Sequence, residues 1–164
     1  MAHSTVVKNF RDGTILIQDA TGTPLAATVQ YEAGDFSISG LTSTQKEVTT
    51  YLDRGDLGSV RHTTQTFPSG SFTLHFTDLT DGSYATVYDL VNKKGSAAAA
   101  VSTLGANADV YAVKITATIE GTDHGDDSDH VIVLDDCVAS VDFSEGDPSS
   151  LSISFTCYGT IALS

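Results

Sequence analysis

The feature that most constrains the fold is a strict alternation of apolar and hydroxyl side chains near the C-terminus. Between 151 and 163 the apolar side is formed by Leu151, Ile153, Phe155, Cys157, Ile161 and Leu163. The other side is mostly serine and threonine. Because successive side chains of a β-strand point to opposite faces, this pattern predicts a strand with one buried face and one solvated face.

Similar segments rich in β-branched residues fill much of the 164-residue chain. They predict further strands at 14–19, 25–32, 35–39, 46–53, 71–76, 109–120 and 131–143. The alanine-rich stretch 97–100 fits either an edge strand or a loop. With 40% apolar residues, the chain is long enough to bury a core, so we expect one domain over 1–164. The fold class is mainly β, an antiparallel sandwich or barrel.

One segment follows a helical period. In the stretch 82–94, apolar and aromatic residues recur at the i, i+3, i+4 and i+7 positions of an amphipathic helix, namely Tyr84, Val87, Tyr88 and Val91. Asp81 or Ser83 can cap its start, and Gly95 suits its end. We therefore expect one helix at about 82–94 whose stripe packs on the sheet.

The two cysteines lie in what the spacing predicts to be the last β-hairpin. If the turn falls at Gly146 and Asp147, Cys137 and Cys157 are cross-strand neighbours on the apolar face. This geometry permits a disulfide. Two buried reduced thiols are favoured if the protein is made in a cytoplasm.

The segment from about 54 to 70 is polar, and it predicts a long loop or a two-stranded extension. Loops of this length are uncommon in compact domains unless they have a function. The segment begins with Arg54-Gly55-Asp56, the tripeptide that integrins recognise. Three specified residues recur easily by chance, and no secretion signal is evident, so the tripeptide is weak support for an adhesive role.

Charge and hydropathy exclude several classes of protein. A net charge of −13 repels phosphate backbones, which argues against specific binding of nucleic acids. No apolar run reaches the ~20 residues that span a bilayer, and the first residues lack the apolar core of a signal peptide. We expect a soluble protein, made in the cytoplasm, with no membrane partner.

The sequence carries no familiar catalytic motif, so we expect no enzyme activity, no catalytic residue and no cofactor. His62 and His75 are interpreted as ordinary solvated or core-edge histidines. The best metal candidate is the stretch 122–130, which contains His124, Asp126, Asp127, Asp129 and His130. Its mixed ligands match neither an EF-hand nor a zinc motif, so we interpret it as a solvated loop and expect no metal site.

Read as a longer unit, the segment 51–76 resembles the central part of the major tail (tail tube) proteins of long-tailed bacteriophages. The residues that carry the resemblance are Asp53-Arg54-Gly55, Leu57, Val60-Arg61, Pro68 and Ser71-Phe72. The resemblance extends more loosely over "GTILIQDATG", "DFSISGL", the predicted helix and the closing hairpin. Type VI secretion tube proteins are similar in architecture.

The resemblance implies a structural virion protein. Six copies would form a ring, and stacked rings would form a tail tube through which double-stranded DNA passes without specific binding. The partners would be other copies, the tape-measure protein and the terminator or tip proteins, in a phage tail assembled in the host cytoplasm. The implied subunit-interface residues are Asp53, Arg54, Gly55, Asp56, Arg61 and Phe67.

Two other functions stay open at this point. A phage receptor-binding or decoration β-sandwich is the first alternative, although the chain contains no tryptophan for an aromatic binding platform. A metal-dependent enzyme using the stretch from His124 to His130 is the second. An acidic, cation-poor protein suits a DNA conduit, because a lumen of like charge lets the duplex slide.

Overall fold

The structure is a computed structural model that describes residues 5, 7, 8, 10, 13–42, 45–105, 109–122, 125 and 128–164. These residues form ten strands and one short α-helix. The elements are β1 Thr14–Gln18, β2 Ala26–Thr28, β3 Ser37–Ser39, β4 Lys46–Asp53, β5 Asp56–Gln65, β6 Ser69–His75, α1 Val87–Asn92, β7 Val113–Ile119, β8 His130–Ser144, β9 Ser150–Cys157 and β10 Ile161–Leu163. The predicted class, mainly antiparallel β with one flanking helix, is confirmed.

Eight strands form one antiparallel sheet in the order β2-β1-β7-β8-β9-β6-β3, with β10 also paired to β8. The chain leaving β2 runs beside β6: the amide of Ala33 donates to the carbonyl of Thr73 at 2.8 Å, and that of His75 to Tyr31 at 3.0 Å. These bonds curl the sheet so that its two ends approach each other. The main body is therefore barrel-like.

The inward side chains of this curled sheet form the core. Ile15, Phe72, Ile115, Leu134 and Ile153 are all at most 2% exposed. Leu90 of α1 completes the core from one side with no exposed surface. Because alternate residues point inward, the predicted period-2 pattern of β1, β6, β7 and β9 accounts for most of the buried residues. No helix in the described part of the chain is long and apolar enough to cross a membrane.

The helix is shorter than predicted and has a different cap. Thr86 is the N-cap, and its Oγ1 accepts a hydrogen bond from the amide of Asp89 at 3.1 Å. Asp81 instead accepts from the amides of Ser83 and Tyr84, which forms a turn before the helix. Tyr84 consequently lies outside the helix and is mostly exposed, so the expectation that it packs on the sheet is wrong.

The helix also buries the carboxylate of a residue that lies outside the predicted apolar positions of the helix. Asp89 has no exposed surface, and neither of its carboxylate oxygens has a hydrogen-bond partner in the described part of the chain. Gly95, in the left-handed region at φ +51°, leaves the space for it: a Cβ there would lie 2.5 Å from Oδ1 of Asp89. The stretch 97–100 begins at the last residue of a 3-10 turn, Gly95–Ala97, and is not an edge strand.

The C-terminal hairpin has the predicted register. Cys137 pairs with Cys157 across β8 and β9, and both thiols are buried and free. A hydrogen bond with Cys157, reinforced by burial, raises the pKa of the Cys137 thiol. The predicted single last strand is divided, because the chain turns at Gly159 and continues as β10 on the other half of β8.

Candidate subunit interface

The segment predicted as a long loop at about 54–70 is mostly strand. β4 and β5 pair with each other in a separate two-stranded sheet, which we call the hairpin, and the alternative of a two-stranded extension is confirmed. Its end is closed by Arg54 and Gly55, whose φ angles are +49° and +96°. Two central residues with positive φ define the tight hairpin turn that matches the twist of the strands. Arg54-Gly55-Asp56 is therefore part of a turn.

The register of the hairpin separates its side chains onto two faces. Directly opposed residues share a face, and one face carries the pairs Val48 with His62, Thr50 with Val60, and Leu52 with Leu57. The other face carries Thr49 with Arg61, Tyr51 with Ser59, and Asp53 with Asp56. We call the first the apolar face and the second the polar face.

Nothing in the described body covers the apolar face. No residue of β4 or β5 is buried, and the large side chains on that face are at least half exposed: Val48, Leu52, Leu57 and Val60. A two-stranded hairpin alone in water is marginally stable at best, and contiguous exposed apolar surface marks a site of interaction. The hairpin is the strongest candidate for an interface.

The hairpin is also electrically unlike the rest of the chain. It carries three basic residues, Lys46, Arg54 and Arg61, and an equal number of acidic ones, so its net charge is zero in a chain of −13. Within the described ranges, neither arginine lies within ion-pair distance of a carboxylate, whereas Lys114 approaches Asp135 at 3.8 Å. Both guanidinium groups are free to bind another molecule.

Phe67 lies at the opposite end of the hairpin from the turn. Its ring packs against Tyr158 with 4.8 Å between the centroids, and both rings are partly exposed. The amide of Thr66 donates to the carbonyl of Gln45 at 2.8 Å and closes the base of the hairpin. Ten residues of strand separate the turn from this base, which corresponds to about 33 Å.

The structure therefore distributes the predicted interface residues along the hairpin and not in one cluster. Asp53, Arg54, Gly55 and Asp56 form the turn, Arg61 lies on the polar face, and Phe67 lies at the base. The apolar face itself was missed. Its alternation is visible in β4 but broken in β5, where Gly58 is an extra residue between Leu57 and Ser59 and shifts the register.

The metal hypothesis gains no support from the described residues. No group of three or more potential ligand side chains is found among them. Asp129 instead organises the loop, since its Oδ1 accepts from the amides of Gly121 and Thr122 at 3.0 and 3.2 Å. These bonds lower the pKa of Asp129. His124, Asp126 and Asp127 lie outside the described residues.

No protein-family model matches the sequence, and a search of curated proteins finds no match. Solved structures share the fold. A chain of the sheath–tube complex of an extracellular contractile injection system (PVC), solved by cryo-EM in the extended state, aligns with a TM-score of 0.55 and 11% identity. The alignment covers 93% of this chain and 87% of that one.

Two further assemblies contain a similar chain. One is the PVC sheath/tube terminator in the extended state, with a TM-score of 0.57, 11% identity and coverage of 100% of this chain and 99% of the other. The second is the six-fold symmetrised baseplate of the anti-feeding prophage, with a TM-score of 0.51, 10% identity and coverage of 100% and 97%. At such identities the likeness is one of fold. The same fold thus occurs in chains of a sheath–tube complex, a sheath/tube terminator and a baseplate.

Proposed function

We propose that this chain is a structural subunit of a phage-tail-like tube, without catalytic activity. Six copies form a ring, rings stack into a hollow tube, and double-stranded DNA passes through the lumen without specific binding. The other partners are the tape-measure protein and the terminator or tip proteins of a tail that is assembled in a host cytoplasm.

The observation that carries the proposal is the exposed hairpin, which forms a sheet of its own. A body with a net charge of −13 repels its own copies, whereas the neutral hairpin presents an apolar face and two arginines that pair with no carboxylate in the described ranges. Association through the hairpin buries apolar surface and places guanidinium groups against an acidic neighbour. A contact between two different surfaces of identical chains generates rings when the rotation closes.

The outer face of the sheet supports the DNA-conduit part of the proposal. Ser37, Ser71, Ser154 and Ser140 lie in register across β3, β6, β9 and β8 and are exposed. A parallel row continues with Ser39, Ser69 and Thr156. Small hydroxyl groups without lysine or arginine give phosphates no counter-charge to bind. This face is suited to line a lumen.

The test is the assembly state of the purified chain by light scattering and negative-stain electron microscopy. We expect rings or tubes, alone or after addition of other tail components. Only monomers at high concentration, with no polymerisation on those components, would overturn the proposal.

Arg61→Ala provides the residue-level test of the same proposal. We expect it to raise the concentration needed for assembly at least about tenfold, because a bidentate pair with a neighbour's carboxylate is lost. Lys114→Ala is the matched control, since Lys114 already faces Asp135 in its own chain. Arg54→Gly removes the second guanidinium without straining a turn position at positive φ. Unchanged assembly in both arginine variants would refute their interface role.

A further inference from the structure

A groove on the body lies between β2 and the start of α1. Its volume is about 270 Å³, and small or apolar side chains line much of it: Ala26, Ala27, Leu74, Ala85, Val87 and Leu151. Three of the thirteen lining residues are alanines, and the empty volume leaves room for side chains brought by another molecule. Asp78 adds a carboxylate to the wall.

One wall of this groove is an open sheet edge. The amide of Val29 donates to the carbonyl of Ile15 at 2.9 Å, and the amide of Asp19 donates to the carbonyl of Leu25 at 3.1 Å. These two bonds show which residues in and around β2 direct their backbone groups toward β1. In an antiparallel pair the residues between such positions direct their backbone groups the other way. The N–H and C=O groups of Ala26 and Thr28 therefore point away from β1. β2 is the end strand of the sheet, and no other described strand pairs with it there.

The hairpin of the same chain matches this groove in three respects. No other described strand pairs with the outer edges of β4 and β5, so these edges can hydrogen-bond to β2. The apolar face carries leucine and valine side chains that suit the partly apolar groove. Its neutral charge lets it approach an acidic body, and its arginines suit the carboxylate of Asp78. β4 alone spans about 26 Å, long enough to reach across a neighbouring subunit.

These features indicate that the groove binds a second copy of this chain. In the described chain the extensive contacts of the hairpin strands are with each other. We propose that the groove between β2 and α1 receives the hairpin of another copy, and that an outer strand of that hairpin extends the barrel sheet at the free edge of β2. The inference rests on the proposed self-assembly and specifies which surface of the neighbour the hairpin binds.

Thr28→Pro tests the edge pairing. Proline at this position removes the N–H that points away from β1. It breaks no hydrogen bond to β1, because Thr28 and Leu16 are not a hydrogen-bonded pair. Thr28→Ala is the matched control that keeps the N–H. We expect Thr28→Pro to raise the concentration for half-assembly at least about tenfold and Thr28→Ala less than about threefold. Equal assembly of the two variants, with unchanged thermal unfolding of the monomer, would overturn the edge pairing.

Photo-crosslinking locates the contact independently. Benzoylphenylalanine replaces Val60 on the apolar face, and ¹⁵N-labelled and unlabelled chains are mixed and assembled before the crosslinker is activated by light. Mass spectrometry then identifies crosslinked peptides that contain one labelled and one unlabelled partner, which come from two different copies. Crosslinks to 26–30 or 84–88 support the inference. Crosslinks only elsewhere, in a sample that still assembles, overturn the inference while the proposed function stands. A sample that never leaves the monomer by light scattering overturns both.

Discussion

Replacing Leu52 and Leu57 by serine tests whether the apolar face drives assembly. The two side chains are opposed in the hairpin register and are 64% and 65% exposed, so about two thirds of each is available for burial by a neighbour. Full burial of a leucine is worth about 1.5–3 kcal/mol. The remaining burial then contributes about 1–2 kcal/mol for each leucine, or about 2–4 kcal/mol for the pair.

At 1.4 kcal/mol per factor of ten, Leu52→Ser/Leu57→Ser should weaken each subunit contact roughly 30- to 700-fold. The monomer should change by no more than about 0.5 kcal/mol, because neither side chain belongs to its core. Sedimentation velocity over a concentration series measures the first quantity, and urea unfolding followed by circular dichroism measures the second.

Leu163 provides the control, because it is as exposed as Leu57, at 65%, but lies in β10. Leu57→Ser should weaken assembly more than tenfold, and Leu163→Ser should have little effect. If the two single variants assemble alike, or if the double variant assembles like the parent, burial of the apolar face is not what joins the subunits.

Two other substitutions test the turn and the core. Gly55→Ala adds a Cβ that meets no atom within 4 Å, but the residue has a φ of +96°, so the substitution strains the backbone of the turn by about 1 kcal/mol. We expect the hydrogen-exchange rate of the β4 and β5 amides to rise about fivefold, while the melting temperature of the body stays constant. Burial alone would raise the pKa of Asp19, but hydrogen bonds from Thr21, Val101 and Leu25 together lower it. Since its folded pKa lies below the unfolded value, ionised Asp19 stabilises the fold above about pH 4, and this stabilisation disappears as the pH falls through the folded pKa. Asp19→Ala should therefore cost about 3 kcal/mol at pH 7 in urea unfolding, and the deficit should shrink below about pH 4; a deficit independent of pH would contradict the role of the charge.

Much of the barrel was predictable because its signals are local. The alternation from Leu151 to Cys157 follows from the geometry of a strand and needs no knowledge of neighbouring elements. The pairing of Cys137 with Cys157 followed from the position of one turn, since a hairpin register is fixed by its loop. The strand β4 was predicted with its observed boundaries.

The candidate interface was only partly predictable. The resemblance indicated the segment that forms the hairpin, and the turn residues were among those named. The apolar face was not, because the extra residue at Gly58 breaks the period-2 spacing between Leu57 and Val60. A polar pattern in the sequence also cannot distinguish a loop from an exposed strand pair that forms a separate sheet.

The sequence by itself determined that this protein is an antiparallel β-structure with one helix and a surplus of negative charge, since periodicity and charge are properties of the chain alone. Tertiary structure decided the rest. It capped the helix at Thr86, buried Asp89, left one edge of β2 without a paired strand among those described, and placed β4 and β5 in a separate, exposed sheet. These outcomes depend on which distant segments come together when the sheet curls. Local sequence patterns do not encode that long-range packing.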